Sequence, residues 1–390
     1  MRTRSRKLLA GIIGLSLAMP GLAADWQALP DQAPAPADNP QSAAKVDLGK
    51  TLYFDPRLSE HGTLSCNSCH NLMAAGDDNR PNSIGMHDAR GGRSAPTVWN
   101  AAFYSVQFWD GRAATLEDQA KGPVVNPVEM GMGTLNVAIG RLQQIPGYQS
   151  LFAAAFPGES TPITADNVAK AIAAFERTLI TPNSAYDRYV KGDQGALTEQ
   201  QVRGMDSFAS LGCTACHSGA NFSGPTLPVG TGFFMKFPTF PGSDYDTRYG
   251  LTQDEGRAAV TSQESDRHLF RVPTLRNIAL TAPYFHTGSV PTLDLAVRVM
   301  AKTQLDKDLS DEQMVNEQRG ALLDAGAPVL DPPARRRLDR RPRSRDVRDN
   351  PVVGRPLVRR DAAAHIATPC VVPLDVRVVG AHRLPSAVRL

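Results

Sequence analysis

Two copies of the pattern C-x-x-C-H constrain the fold of this 390-residue chain more than any other feature. The first copy runs from Cys66 to His70 and the second from Cys213 to His217. The pattern is typical of c-type haem attachment, in which two thiols bond the porphyrin edge and the following His ligates the iron. A redox dithiol needs no such His, and a zinc site would not require one in both copies. We therefore predict two covalently bound haem c groups, held by Cys66, Cys69 and His70 and by Cys213, Cys216 and His217.

The spacing and the composition predict a mainly α fold with two cytochrome c-like haem domains and long loops. The motifs lie 147 residues apart, which leaves each haem a domain of ordinary size. With 42% apolar residues the chain can form packed cores, which excludes a disordered or collagen-like protein. Its 32 Gly and 30 Pro indicate long loops. The expected domains span residues 25–190 and 191–330, with residues 191–195 as the connector.

Three threonines mark the beginnings of predicted helices. Thr164 precedes apolar residues at helical spacing, and Thr198 forms a capping box with Gln201 ahead of the second motif. Thr292 precedes a third apolar pattern. The helix after Thr164 is expected to end near Thr181. Its predicted apolar face consists of Val168, Ala171, Ile172, Phe175 and Leu179.

The first 24 residues have the pattern of a secretory signal peptide. Four basic residues precede residue 8, an apolar run covers residues 8–19, and small residues end the segment at 23–24. The apolar run is shorter than the ~20 residues that cross a bilayer, and no later segment is long and apolar enough to do so. We therefore expect export to an oxidising compartment and no membrane span.

The C-terminal segment differs in composition from the rest of the chain. Residues 331–390 contain 14 Arg and 8 Pro but no Lys, Phe, Tyr or Trp. A capping box begins at Ser310, yet the helical pattern that it predicts dissolves after Gln313. Our hypothesis is a frameshift near residue 313, which would make the tail, with Cys370, a misread segment. The alternative is a basic arm for nucleic acid or anionic lipid.

The formal net charge of +3 combines parts of opposite sign. Residues 1–24 carry four basic and no acidic side chains, and residues 331–390 carry 14 basic and six acidic ones. Residues 25–330 carry 24 basic and 33 acidic side chains, so the body of the chain is acidic. Because the basic excess lies at the two ends, we expect no nucleic-acid partner for the body.

Five further segments have recognisable motifs, namely LGKTLYFDPRLS at 48–59, QFWDGR at 107–112, VEM at 128–130, RVPTLRN at 271–277 and TAPYFHTG at 281–288. Together with the two haem motifs, they resemble those of the bacterial di-haem cytochrome c peroxidases, and the resemblance runs from Lys45 to Gln313. It implies a periplasmic enzyme that reduces hydrogen peroxide to water with electrons from a small soluble donor, a cytochrome c or a cupredoxin. It also implies a homodimer.

The resemblance assigns three candidate catalytic residues around the peroxide. Glu129 matches the family's acid/base, which moves a proton between the two peroxide oxygens. Gln119 matches a residue that positions peroxide by hydrogen bonding, and Trp109 matches a tryptophan between the haems. Arg112 would support a haem propionate or the contact between domains.

The resemblance also divides the two haems by their axial ligands. His70 would be the proximal ligand of the peroxidatic haem, whereas His217 and Met300 would ligate the electron-accepting haem. A thioether ligand raises the reduction potential relative to a second imidazole. His286 matches a motif histidine near the second haem, and its alternative is a hydrogen-bonded core residue.

The removable ligand of the peroxidatic haem is where this sequence departs from the family. The family's His directly follows Ser-Ile-Gly, but here residues 83–85 are followed by Met86 and only then by His87. We expect His87 to cap the iron in the resting enzyme, with Met86 as the alternative. The third possibility is that neither residue binds and the site is always open.

The resemblance also implies a bound calcium ion. Thr281 and Pro283 match two calcium positions, and Ser94 stands where the family has Asn. Hard oxygen ligands, including backbone carbonyls, suit this ion.

The competing functions are a di-haem electron-transfer cytochrome without catalysis and a di-haem oxidase that matures a partner protein. Relatives of the second kind replace the distal Met with Tyr, so Met300 argues against it.

Overall fold

The computed structural model of the chain describes residues 25–310. The signal-peptide segment, the helix expected after Ser310 and the tail with Cys370 lie outside these residues. The described part is mainly α, as the sequence predicts, with one small sheet. None of its helices is long and apolar enough to cross a membrane.

Eleven α-helices and two strands form the regular structure of the described residues. The helices are α1 (Ala43–Tyr53), α2 (Cys66–Cys69), α3 (Leu116–Val125), α4 (Leu135–Gln143), α5 (Pro146–Ala155), α6 (Ala165–Glu176), α7 (Ala185–Val190), α8 (Glu199–Ser210), α9 (Asp244–Tyr249), α10 (Ala258–Thr261) and α11 (Leu293–Leu305). The strands β1 (Phe234–Lys236) and β2 (Leu269–Arg271) pair antiparallel, with Met235 opposite Phe270. Short 3-10 turns lie at Pro56–Leu58, Leu72–Ala74, Met86–Asp88, Ala101–Phe103, Cys213–Ala215, Glu264–Asp266 and Ile278–Leu280.

The three predicted helix caps are confirmed. The hydroxyl of Thr164 accepts from the third amide of α6, and that of Thr292 does the same for α11. Thr198 and Gln201 bond reciprocally at the start of α8. The helix after Thr164 is shorter than expected, because it ends at Glu176 and Leu179 follows in a turn.

The first hydrophobic core is formed chiefly by α1, α3, α4, α5 and α6. Helix α1 crosses α6 so closely that a Cβ on Gly49 would lie 1.8 Å from the carbonyl oxygen of Ala171. Only a glycine permits this approach. Leu48, Leu52 and Phe152 are fully buried here. This core supports the segment that carries the first haem motif, since Cys66 packs against it.

Two smaller clusters lie in the second half of the described chain. One, which we call the second core, contains Phe237, Phe270 and Val299, and it joins the small sheet to α11. The other is largely aromatic and includes Tyr186 and Phe222. The division into two cytochrome c-like domains remains a prediction.

Candidate active site

A cavity of about 390 Å³ lies beside the first haem motif. Cys66, Cys69 and His70 line it on one side. The structure brings together around the same cavity the residues that the sequence singled out far from this motif, namely Trp109, Arg112, Gln119 and Glu129. Convergent polar groups in a largely apolar cavity are the usual form of a reaction site.

His70 is oriented by its own backbone neighbourhood. Its Nδ1 lies 2.9 Å from the carbonyl oxygen of Pro96 and therefore donates to it. This leaves Nε2 as the nitrogen able to ligate a metal, and such a second hydrogen bond is typical of ligating histidines. The hydroxyl of Tyr53 donates to the His70 carbonyl at 2.7 Å. The first site thus fits a haem held by Cys66, Cys69 and His70.

The second motif repeats this arrangement in different surroundings. Nδ1 of His217 donates to the carbonyl of Phe222 at 2.9 Å, which again leaves Nε2 for a metal. The residue is 8% exposed, and burial lowers the pKa of its imidazole, which favours the neutral form that binds metals. Its ring centroid lies 6.4 Å from that of Phe208 on α8. This second set of residues also fits a haem.

Glu129 follows α3 and is held over the cavity by its main chain. Its N–H donates to the carbonyl of Asn126 at 3.0 Å, and its carbonyl accepts from the N–H of Met86 at 2.8 Å. Burial of the carboxyl raises its pKa, while the nearby charge of Arg112 opposes the shift. A carboxyl with a raised pKa is a stronger base than an ordinary Glu and can also return the proton as an acid. Gln119, on α3, lines the same cavity.

Trp109 contacts both the cavity and the second core. It lies in a tight turn closed by a bridge between Gln107 and Ala113. Its indole N–H donates to the carbonyl of Ser94 at 2.9 Å, and its ring lies 6.2 Å from that of His286, edge to face. Because it also packs against the second core, Trp109 lies between the cavity and the cluster that contains Met300.

Met86 and His87 lie outside this cavity in the described structure. Met86 is 4% exposed and packs beside Gly131. The His87 side chain is 61% exposed, and its Nε2 lies 2.9 Å from a carboxylate oxygen of Glu60. The structure therefore does not bring either candidate cap to the site of His70.

Met300 and His286 belong to the second core. Met300 lies on α11 and is partly buried there. His286 is 2% exposed and stacks on Phe270 with the ring centroids 4.1 Å apart, and its Nε2 has no hydrogen-bond partner among residues 25–310. Burial lowers the pKa of His286 to about 4, so this ring is a neutral member of the core.

The three predicted calcium positions lie on two segments that contact each other. The N–H of Ser94 donates to the carbonyl of His286 at 2.8 Å, three residues beyond Pro283. The amide of Asn79 donates to the carbonyls of Leu280 and Ala282, which flank Thr281. The Ser94 carbonyl also accepts the indole N–H of Trp109, which leaves one lone pair of that oxygen for a cation.

Two features of the site were not expected from the sequence. Glu176, at the end of α6, lines the cavity, and burial raises its pKa to about 8. Arg276 forms a fully buried, bidentate pair with Asp187 on α7, and its Nε donates to the carbonyl of Ala220 in the loop after the second motif. The partners of that pair are 89 residues apart, and no local pattern reveals such a contact.

Known proteins share extensive sequence with this chain. A family model described as di-haem cytochrome c peroxidase matches residues 43–195. The chain is 43% identical to the cytochrome c551 peroxidase of Pseudomonas aeruginosa over 322 residues, which cover 80% of this chain and 90% of that protein. It is 44% identical to the cytochrome c peroxidase Ccp of Escherichia coli over 282 residues, 72% of this chain and 58% of that protein.

The solved structures give the same result at the level of the fold. A MauG-like protein associated with microbial copper homeostasis superposes with a TM-score of 0.65 at 30% identity, over 77% of this chain and 97% of that one. The resemblance read from the motifs is confirmed, and two haem c groups go with the family. The chain therefore belongs to the di-haem cytochrome c peroxidase family and is a di-haem peroxidase.

Proposed function

We propose that this peroxidase works in the periplasm, takes electrons one at a time from a small cytochrome c or cupredoxin, and reduces hydrogen peroxide in the cavity beside His70. The observation that supports this assignment is the shared cavity. One space is lined by a haem motif, an acid/base candidate and an amide donor. An electron-transfer cytochrome has no need of Glu129 and Gln119 in such a space.

The proposed chemistry in this cavity is proton movement by Glu129. A haem held by Cys66, Cys69 and His70 would supply an iron for peroxide and the electrons for cleavage of the O–O bond. Glu129 takes the proton from the oxygen nearer the metal and gives it to the oxygen that leaves as water. With two electrons and two protons, one peroxide yields two waters. Gln119 orients the peroxide by hydrogen bonding, and the charge of Arg112 limits how far the pKa of Glu129 rises.

The proposed electron path leads from the second motif to the cavity through Trp109. His217 and Met300 ligate the haem that accepts electrons from the donor, and the thioether keeps its potential high. Trp109 lies against the second core and also lines the cavity, so its ring spans the space between the two environments. Its N–H bond to Ser94 fixes the ring plane.

His87 is proposed as the removable cap, and the described conformation corresponds to the open site. For the cap to close, the hairpin from Ile84 to Arg90 must rearrange and the contact with Glu60 must break. His87 and Asp88 both have left-handed backbone, with φ of 56° and 58°, which is costly for residues other than glycine. This strain at the hairpin tip supports a segment with two alternative conformations.

Calcium and dimerisation complete the proposal. The carbonyls of Thr281, Pro283 and Ser94 would bind calcium where the segments around Asn79 and His286 meet. The proposed homodimer rests on the family resemblance.

A donor-oxidation assay tests the proposed function. The holoenzyme, reduced by one electron, should oxidise reduced cytochrome c or cupredoxin at a rate that depends on added peroxide, two donors per peroxide. Oxidation that stops after one electron per haem, with no consumption of peroxide, would identify an electron-transfer cytochrome instead.

A further inference from the structure

Glu60, His61 and His87 converge on the surface, outside the cavity. One ligand atom from each lies within 4.8 Å of the others. Nε2 of His87 is 2.9 Å from a carboxylate oxygen of Glu60. The rings of His61 and His87 meet edge to face, with their centroids 5.1 Å apart. Two imidazoles and one carboxylate are thus already gathered at one point that solvent can reach.

The main chain under Glu60 and His61 is firmly held. The Glu60 N–H donates to the carbonyl of Met130 at 2.8 Å. The guanidinium of Arg141 donates to the carbonyls of Ser59 and Glu60, at 2.6 and 2.7 Å. Two ligands of the cluster therefore stand on a fixed base, which reduces the entropy that a bound ion would have to overcome.

His87 stands on a second segment that is tied to the same part of the chain. The neighbouring Met86 N–H donates to the carbonyl of Glu129. A Cβ on Gly85 would lie 2.0 Å from the carbonyl oxygen of Val128, so the two backbones are in direct contact. An ion bound by the cluster would link two segments that both hydrogen-bond to residues 129–130.

We propose that Glu60, His61 and His87 form a binding site for a divalent first-row transition metal ion, with Zn²⁺ as the simplest representative. Imidazole nitrogens with one carboxylate oxygen suit Zn²⁺, Cu²⁺ or Ni²⁺, whereas Ca²⁺ and Mg²⁺ prefer oxygen ligands alone. The exposure of all three residues leaves room for a water in the fourth position of a tetrahedral ion.

The site has a consequence for the peroxidatic cavity, which rests on the proposed role of His87 as cap. A metal ion held by Glu60 and His61 keeps His87 on the surface. Metal binding at this site and closure of the cavity by His87 then exclude each other. A transition metal would hold the site in its open form.

Titration calorimetry of the metal-free holoenzyme with Zn²⁺ tests the site. We expect one ion per chain with a dissociation constant in the micromolar range. Glu60→Gln and His61→Gln should each weaken binding by at least about tenfold, because each removes a ligand. Asp88→Asn removes the negative charge of the residue next to His87 in the chain, which is outside the cluster, and it should change binding by less than about twofold. If Asp88→Asn weakens Zn²⁺ binding as much as Glu60→Gln does, or if His61→Gln leaves Zn²⁺ binding unchanged, the proposed site is wrong.

The spectrum of the oxidised enzyme tests the consequence separately. Zn²⁺ should convert the peroxidatic haem of the oxidised wild type from low-spin to high-spin, whereas in His61→Gln the same Zn²⁺ concentration should leave it low-spin. If Zn²⁺ binds with the expected ligand dependence but the spectrum of the wild type does not change, the mutual exclusion is wrong. The gating itself is judged from metal-free His87→Gly, whose resting spectrum should differ from that of the wild type.

Discussion

The two C-x-x-C-H sites share a local design and differ in what surrounds them. In both, the imidazole Nδ1 donates to a backbone carbonyl 2.9 Å away, Pro96 for His70 and Phe222 for His217. His70 lines a cavity together with Glu129. His217 is buried beside aromatic rings and is not among the residues that line this cavity.

This difference shows that the motif determines attachment, whereas the surroundings determine the chemistry. A carboxyl and an amide beside an open space can move protons and orient a small substrate. Packed aromatic side chains exclude water and suit a site that holds an electron. Trp109 lines the cavity and also packs against the second core, which includes Met300.

The strongest test of the peroxidatic site is the loss of the Glu129 carboxyl. Glu129→Gln keeps the size of the side chain but cannot exchange a proton, so turnover of peroxide should fall by about 10²–10⁴-fold. Both haems should be retained in the visible spectrum. The control is Glu199→Gln on the exposed start of α8, which should leave turnover unchanged. Near-normal turnover of Glu129→Gln would remove this residue from the mechanism.

For the second C-x-x-C-H site, the corresponding test is the replacement of Asp187, which forms a buried pair with Arg276. Although burial opposes it, the hydrogen bonds from Arg276 hold the pKa of Asp187 below its usual value. Asp187→Asn leaves the Arg276 charge uncompensated and should lower the free energy of unfolding by about 3–5 kcal/mol in denaturant titrations. The loop at Ala220 should loosen first, since Arg276 also donates to it.

The same pair also predicts how the free energy of unfolding changes with pH. Because the folded-state pKa of Asp187 is lowered, its contribution is complete above the unfolded pKa of about 3.9 and is lost as the pH falls through the folded value. In Asp187→Asn the unfolding free energy should depend less on pH over this acid range. An unchanged acid dependence would contradict the assigned contact.

The raised pKa of Glu129 predicts the acid limb of the rate profile. As the proposed base that accepts the peroxide proton, Glu129 must be ionised in the free enzyme. Its pKa lies above the ordinary value of 4.5, so kcat/KM should rise with pH and level off at a higher pH than an ordinary Glu would give. The limb should be missing from the residual activity of Glu129→Gln. A limb that persists there belongs to another group, such as Glu176.

The smallest expected effect concerns the connection between the sites. Trp109→Phe keeps an aromatic ring but loses the N–H bond to Ser94, which is worth about 1 kcal/mol. Electron transfer between the haems should slow several-fold in rapid-mixing experiments, while peroxide binding in the cavity stays the same. A rate equal to that of the wild type would show that the indole is only a structural part of the core.

The sequence was most informative where the determining interactions are local. The caps at Thr164, Thr198 and Thr292 depend on residues three positions apart, and all three were predicted. The pair of Asp187 and Arg276 and the cluster around Glu60 depend on tertiary contacts that no local pattern encodes. The sequence therefore assigned no role to His61, and it did not predict the small sheet.

The candidate site shows the same limit. The resemblance identified Glu129, Gln119 and Trp109, and the structure brings all three to the cavity of His70. The extra residue before His87 allowed three outcomes, and spacing alone could not choose among them. The conformation of the hairpin depends on the contacts of Gly85 and Met86 with residues 128–129, which are remote in sequence.

A reductive titration of Met300→His tests the division of labour between the two sites. In the wild type, the first electron should enter the haem ligated by His217 and Met300, at the higher of two midpoint potentials. A second imidazole in place of the thioether should lower that potential, so that the enzyme no longer stops at a half-reduced state. Glu129→Gln should leave the same potential unchanged. If Met300→His leaves the higher midpoint potential where it is in the wild type, the second site is not the electron-accepting one.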